Sequence, residues 1–143
     1  MSSEENKRIV RRFYEEFCNT GKVDGIEEII APEYTEVYDG KRYPIGIEGA
    51  KAHITGGRQT YPDLHIAIDR QIAEGEWVVT CITASGTHKG PWLGMKPTNQ
   101  PVVFTGVNVD RVVEGKIIEH GGAVNMLGPF LEIGAIKVAG PDE

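Results

Sequence analysis

The chain has 143 residues and a net charge of −6, and its 15 basic residues are scattered rather than clustered. A phosphate backbone requires a basic stripe or patch, so we predict no nucleic-acid partner. No apolar run approaches the roughly 18 residues of a membrane-spanning helix, so we also predict no membrane association. The N-terminal sequence MSSEENKR is polar and lacks the apolar core of a secretory signal, and we therefore expect a cytoplasmic protein.

Cofactor and metal motifs are also missing from the sequence. The four histidines show neither HxH nor HExxH spacing, and Cys18 and Cys81 lack the spacing of metal ligands. The glycines form no GxGxxG or phosphate-binding loop. We therefore predict no metal and no cofactor, and we expect both cysteines to be reduced in the cytoplasm.

The first half of the chain has the pattern of helices around one strand. Ile9, Phe13 and Phe17 recur at helical spacing near the N-terminus. Pro32 would end a second, shorter helix, because proline cannot continue the hydrogen-bond ladder. In chain order, the predicted elements are a helix over residues 4–19, a helix over 23–30, a strand over 33–40 and a helix over 47–60.

The second half has the pattern of β-strands. Leu64, Ile66 and Ile68 alternate with more polar residues, and the segments EGE and EG separate long β-branched runs. The segment KGPWLGMKPTNQP is rich in glycine and proline and predicts a loop over residues 89–101. The remaining elements are predicted strands over 64–73, 77–88, 102–113 and 116–124, and a closing helix over 125–134.

Helices followed by an antiparallel meander predict an α+β fold. The length predicts a single domain over residues 1–143, with its core at about residues 9–134. A long meander must curl to cover its apolar face, and helices on the concave side would leave a cone. Such a cone suits one small hydrophobic molecule.

Five segments, in this order and spacing, resemble the SnoaL-like polyketide cyclases of the nuclear-transport-factor-two-like superfamily. They are IVRRFYEEFCNTG, APEY, YPDL, GTHKGPWLGMKPT and RVVEGKIIEH. The resemblance implies a strongly bent antiparallel sheet that forms a cone with N-terminal helices, in a homodimer or higher homo-oligomer. It also implies ring closure by intramolecular aldol condensation without metal or cofactor, in which a carboxylate removes a proton next to a carbonyl.

The segment that should carry this carboxylate departs from the family pattern. The family often reads EHWDxxD where this chain reads EHGGAVN, so its acid/base aspartate falls on Gly122 and its later aspartate on Asn125. A histidine that assists in the cyclases falls on Asn108. An amide can hold a carbonyl oxygen but cannot transfer a proton at neutral pH. The family mechanism therefore cannot be carried over onto these positions.

Strand parity predicts residues that could replace the missing carboxylate. Residues two apart on a strand share a face, so Asp110 should accompany Asn108, and His120 should accompany Gly122. We predict Asp110 as a base and His120 as its proton donor. The resemblance adds Glu36, just after Tyr34 where the family often has a polar pocket residue, as a second candidate base. Asn108 is a further catalytic candidate, because its amide could hold a carbonyl oxygen. The structural alternatives are a solvated Asp110 or one paired with Arg111, a hydrogen-bonded core histidine, and an exposed strand carboxylate.

The remaining candidates would contact the ligand rather than react with it. His88 has a structural alternative, in which its ring bonds the backbone at a strand end. Trp92 could cover the cone from its loop or pack at a dimer contact. Gly121 and Gly122 could mark a close approach of another group to the strand, or a kink in the sheet. Asn125 could cap the closing helix. The predicted ligand-binding residues are Phe17, Tyr34, His53, His88, Trp92, Met95, Gly122 and Asn125.

These patterns favour a cofactor-independent enzyme that performs aldol-type cyclisation or isomerisation on a small hydrophobic carbonyl substrate. One alternative is a non-catalytic binding or accessory protein with the same cone. Another is a dimerisation module whose cone is filled by its own side chains. A buried carboxylate or histidine with a shifted pKa would favour the enzyme over both alternatives.

Overall fold

The computed structural model describes residues 1–140. Helix α1 spans Ser3–Arg12 and begins with a capping box, in which the Ser2 side chain accepts from the Glu5 backbone and Glu5 accepts from the Ser2 backbone. The helix continues without interruption into a wider π-helical segment, Phe13–Cys18. The helix predicted over residues 4–19 is therefore confirmed, with a wider final turn and a half.

Six strands and two further helices follow. The strand order across the sheet is β2-β1-β6-β5-β4-β3. The elements are β1 Ile30–Tyr38, β2 Lys41–Pro44, α2 Gly46–Thr60, β3 His65–Glu74, β4 Trp77–Thr87, β5 Pro101–Val113, β6 Lys116–Asn125 and α3 Leu127–Glu132.

Part of the sheet is the predicted antiparallel meander, and β1 and β2 extend it in a different way. Strands β3 to β6 pair antiparallel in sequence order, but β1 pairs with β6 in parallel and β2 returns along β1 as a hairpin. Register shifts interrupt the ladders at Ile68/Arg70 and at Arg111/Val112, and such bulges bend a sheet and increase its twist. The predicted α+β class with a curved sheet and packed helices is confirmed.

Two local predictions were wrong. The segment 23–30 is not a helix, because only Ile26–Glu28 forms a short 3₁₀ turn and Ile30 already belongs to β1. The second wrong prediction is that Pro32 ends a helix, because Pro32 lies inside strand β1. The apolar spacing that suggested a helix instead buries Ile26, Ile29 and Ile30 in the core around this turn.

Two hydrophobic clusters lie on the inner face of the sheet. The larger cluster joins the first helix, α2 and the end of the sheet that contains Val78, Val112 and Ile117. The smaller cluster lies at the other end of β4 and β5, around Phe104 and Phe130 of α3. The clusters bury opposite ends of the same strands, so the inner residues between them are the place to look for a site.

Candidate active site

Three neighbouring strands place three ionisable side chains in one row. His120 on β6 pairs in register with Glu36 on β1 and, on its other side, with Asp110 on β5. All three residues are buried, and Asp110 is completely inaccessible. Tertiary structure thus brings Asp110 and His120, which strand parity had selected, together with Glu36, which the family resemblance had suggested. We call Glu36, His120 and Asp110 the acid/base row.

Asp110 holds the ring of His120. Nδ1 of His120 donates to Oδ1 of Asp110 at 2.6 Å, and the second oxygen of Asp110 is buried without a partner among the described residues. Burial alone would lower the pKa of His120, but the charge and hydrogen bond of Asp110, with a contribution from Glu36, outweigh it and raise this pKa. The ring is therefore biased towards its charged form, and its Nε2–H is the group left to act on another molecule.

Glu36 is held in its ionised form by a different set of groups. Its Oε2 accepts from the Tyr34 hydroxyl at 3.1 Å and lies 2.5 Å from Nδ1 of His53 on α2. Burial alone would raise the pKa of Glu36, but the hydrogen bond and charge of His53, the charge of His120 and the Tyr34 hydroxyl lower it. The row therefore favours a carboxylate at Glu36 beside an imidazolium at His120.

The π-helical segment covers this row. The Phe13 ring lies 5.3 Å from the ring of His120, centroid to centroid, and the Tyr34 ring stacks on the same imidazole at 6.5 Å. Tyr14 accepts a hydrogen bond from Asn108 Nδ2 at 2.8 Å. Burial and the charge of Asp110 raise the pKa of Tyr14 well above its usual value, so its hydroxyl keeps its proton and can donate. Widened helical turns of this kind are frequent at functional sites.

At Gly122, the backbone leaves no space for a side chain. Its φ is +152°, and a Cβ would overlap the carbonyl oxygen of Val107 and lie 2.6 Å from Oδ1 of Asn108. A Cβ on Gly121 would overlap the carbonyl oxygen of Val37 on β1. Both glycines therefore permit the close approach of neighbouring strands, and the interpretation as close approach fits better than a kink.

The inner face beyond the acid/base row is open to solvent. Val124 pairs with Gly106 and lies on the same face as Ile82, yet it is 46% exposed. Next to it, Gly122 is exposed and Asn108 is partly exposed. The opening therefore lies on the side of the row towards the end of β6.

Neither of two surface depressions is lined by the acid/base row. One, of about 480 Å³, is lined mainly by residues such as Cys81, Thr105 and Val107 that point away from the core. The other, of about 620 Å³, lies between the start of β5 and α3. The first depression also includes Gly106 and Val124, so it borders the exposed part of the inner face next to the row.

The predicted loop residues lie away from the acid/base row. Trp92 and Met95 pack against the smaller cluster, where the Trp92 and Phe130 rings meet edge to face at 5.7 Å. His88 is fully buried there, accepts from the Thr98 backbone, and stacks on Phe130. The structural alternative for His88 therefore describes its position. Its Nε2 has no partner among the described residues.

The capping role predicted for Asn125 is wrong. Strand β6 extends through Asn125, and α3 begins two residues later with Met126 at the cap position and no side-chain cap. Asn125 is exposed. Phe17, in contrast, is buried in the larger cluster with Phe13, as the helical spacing of these two residues indicates.

Two tyrosines near the row were missed in the sequence. Tyr38 shares its strand face with Tyr34 and Glu36, and burial and the charges of Glu36 and Asp110 raise its pKa. The signal was the same two-residue parity that selected Asp110. Tyr14 is harder to recognise, because the π-helical turn changes which residues share a face.

Within residues 1–140, no group of three or more His, Cys, Asp or Glu side chains could hold a metal ion, and no helix could span a membrane.

The comparisons with known proteins agree with this fold. The model of the SnoaL-like polyketide cyclase family matches residues 8–133. Aklanonic acid methyl ester cyclase DnrD from Streptomyces peucetius is 29% identical over 129 residues, which cover 88% of each chain. Nogalonic acid methyl ester cyclase from Streptomyces nogalater is 28% identical over 125 residues, covering 81% of this chain and 88% of the cyclase.

Solved structures show the same architecture. AclR from Streptomyces galilaeus superposes with a TM-score of 0.80 at 25% identity, covering 98% of this chain and 87% of AclR. TsrD from Streptomyces laurentii superposes with a TM-score of 0.82 at 24% identity, covering 95% and 99% of the two chains, a likeness of fold alone. Since the family model spans most of the sequence and the fold agrees, the chain belongs to the SnoaL-like polyketide cyclase family.

Proposed function

We propose that this protein catalyses proton transfer next to a carbonyl of a small hydrophobic substrate, without a cofactor, leading to aldol-type cyclisation or isomerisation. The observation that carries the proposal is the acid/base row, in which Glu36, His120 and Asp110 lie side by side in the protein interior on three neighbouring strands. The names of the two curated relatives, both methyl ester cyclases, support a substrate that contains a carbonyl group.

The residues of the row have different roles in this proposal. Glu36 removes a proton from the carbon next to the carbonyl, and the electron pair of that C–H bond forms an enolate. Nε2–H of His120 donates to the enolate oxygen, while Asp110 positions the ring and maintains its charge. The Tyr14 hydroxyl, oriented by Asn108, is a second donor for the same oxygen. In cyclisation the enolate carbon then attacks a second carbonyl carbon, whose oxygen takes the π electrons and a proton from water. In isomerisation the enolate takes a proton at another position. Glu36 releases the proton that it removed to solvent before the next turnover.

A carboxylate with an ordinary or lowered pKa is a sufficient base when donors stabilise the enolate. The C–H group next to the carbonyl becomes more acidic when the negative charge that develops on the enolate oxygen is stabilised. Preorganised hydrogen-bond donors in a site without water stabilise this charge strongly. The low pKa of Glu36 keeps it ionised over the whole neutral range. In this proposal, a glycine at position 122 is compatible with catalysis, because the base is Glu36 on the neighbouring strand β1.

Deuterium wash-in tests the proposal without knowledge of the natural substrate. The protein is incubated with β-tetralone in D₂O, and deuterium at the carbons next to the carbonyl is measured by mass spectrometry against a protein-free control. We expect wash-in above background, and Glu36→Gln should lower it by roughly 10²- to 10⁴-fold, the usual contribution of a positioned base. Glu33→Gln is the matched control, because Glu33 is exposed on the same strand.

The outcome distinguishes the enzyme from its alternatives. Wash-in that is unchanged in Glu36→Gln, or absent from the wild-type protein across a panel of aryl ketones and β-keto esters, would contradict the proposal. Binding of such ketones without wash-in would instead favour a non-catalytic binding protein.

A further inference from the structure

The Glu36 carboxylate lies inside the protein, yet one of its partners reaches the surface. Oε2 of Glu36 is 2.5 Å from Nδ1 of His53, and the side chain of Glu36 is 10% exposed while that of His53 is 52% exposed. The two residues come from different elements, β1 and α2, so the contact depends on the tertiary fold. The other partner of Oε2, the Tyr34 hydroxyl, is buried and offers no route outward.

A buried base needs a route for the proton that it has removed. Of the groups that contact Oε2, His53 alone combines direct contact with substantial exposure among the described residues. An imidazole has two ring nitrogens that each accept and release protons near neutral pH, so it can pass a proton from one side of the ring to the other. A purely structural partner for Glu36 would not need this property.

We propose that His53 is the proton port of the acid/base row, carrying protons between Glu36 and solvent; this inference rests on the proposed function. After Glu36 has taken the substrate proton, the His53 tautomer with its hydrogen on Nε2 accepts that proton at Nδ1 from the Glu36 O–H. The imidazolium formed loses the hydrogen on Nε2 to water, which leaves Nδ1–H donating to the ionised Glu36. Rotation of the half-exposed ring then brings this N–H to solvent, where proton exchange restores the first tautomer. One O–H bond is broken and one proton is released, with no change of oxidation state.

His53 is therefore a positioning and relay residue rather than a group that touches the substrate. The prediction that His53 binds ligand is replaced here by a role behind Glu36. The relay controls how fast the abstracted proton is exchanged for deuterium, so it should affect the turnover of wash-in and leave substrate affinity nearly unchanged.

The test compares two substitutions of His53 in the β-tetralone wash-in assay. His53→Gln can still donate a hydrogen bond to Glu36 but cannot carry a proton, and His53→Ala removes the ring altogether. At low buffer concentration we expect both to lower kcat for wash-in by roughly 10²-fold, the lower end for a positioned acid/base group, with KM within about twofold. Added imidazole should restore His53→Ala in proportion to its concentration. His65→Gln, at an exposed histidine on β3, is the control.

Each outcome bears on one of the two proposals. Full wild-type kcat in His53→Gln, or no rescue of His53→Ala by imidazole, would overturn the port while the wild-type wash-in keeps the proposed function intact. Absence of wash-in from the wild-type protein would overturn the proposed function and the port together. Because the His53 side chain is half exposed, both variants are expected to fold, which circular dichroism checks.

Discussion

Nδ1 of His120 lies 2.6 Å from Oδ1 of Asp110, and the two residues stand directly opposite each other on β6 and β5. A charged hydrogen bond between buried groups is strong, but each partner is costly without the other. The pair therefore couples the charge of His120 to the stability of the sheet.

We predict that Asp110→Asn destabilises the protein most where His120 is charged. Breaking a buried pair by neutralising one partner costs on the order of 3–5 kcal/mol, and the cost falls once the other partner loses its charge. Urea unfolding should show a large loss near pH 6 and a smaller loss near pH 8. Asp24→Asn, at an exposed position, should change stability little at either pH. Equal losses at both pH values would show that the charge of His120 is not involved.

The stability of the wild-type protein should pass through a maximum in mildly acidic solution. The pKa of His120 is raised above 6.5, so its contribution is complete below that value and is lost as pH rises through the folded-state pKa. The pKa of Glu36 is lowered below 4.5, so its contribution is complete above that value and is lost as pH falls through the folded-state pKa. Urea midpoints measured across pH should therefore decline on both sides of this window.

Substitution separates the two limbs of that profile. His120→Asn should flatten the decline on the alkaline side, and Glu36→Gln should flatten the decline on the acidic side. A profile whose two limbs are unaffected by these substitutions would assign the pH dependence to other groups.

An aspartate introduced at position 122 should destabilise the protein and add no activity. Gly122→Asp places a side chain at φ +152° and drives its Cβ into the Val107 carbonyl, and a residue forced into such backbone costs roughly 1–3 kcal/mol before the overlap is added. Thermal unfolding should show a clear loss, with no gain in wash-in over the wild-type protein. Gly128→Ala is the matched control, since a Cβ there meets nothing within 4 Å. A stable and more active Gly122→Asp variant would contradict the view that position 122 is closed.

Tyr14 should contribute to the proposed reaction through its hydroxyl group. Tyr14→Phe keeps the ring but removes the hydroxyl that would donate to the enolate oxygen and that accepts from Asn108. Because Asn108 is partly exposed, water can replace this partner, and the cost in stability should be small. We expect slower β-tetralone wash-in with an intact fold. Tyr43→Phe, at an exposed position on β2, serves as the comparison. Wash-in at the wild-type rate in Tyr14→Phe would remove Tyr14 from the proposed reaction.

Local pattern was sufficient to predict the parts of the site that lie on strands. The two-residue period placed Asp110 on the face of Asn108 and His120 on the face of Gly122, and the structure has both pairs facing inward across β5 and β6. The same two-residue period places Tyr38 on the face of Glu36, but Tyr38 was not among the predicted site residues.

The features that the sequence could not predict depend on contacts distant along the chain. The pairing of Glu36 with His53 joins a strand to a helix, and no local period records it. Strand β2 was missed because all four of its residues are exposed, so its sequence lacks the alternation of apolar and polar residues that marks a strand. The confinement of Gly122 was not readable either, because the atoms that fill its side-chain space belong to β5.

The protonation state of His120 tests the central claim most directly, since the acid/base row requires an imidazolium beside the Glu36 carboxylate. The measurement is a titration of the ¹⁵N-labelled His120 ring by NMR, in the folded protein and in the same protein unfolded in urea. We predict a folded-state pKa above the unfolded-state value, and a return towards the unfolded-state value in Asp110→Asn. A folded-state pKa at or below the unfolded-state value would contradict the proposed roles of all three residues.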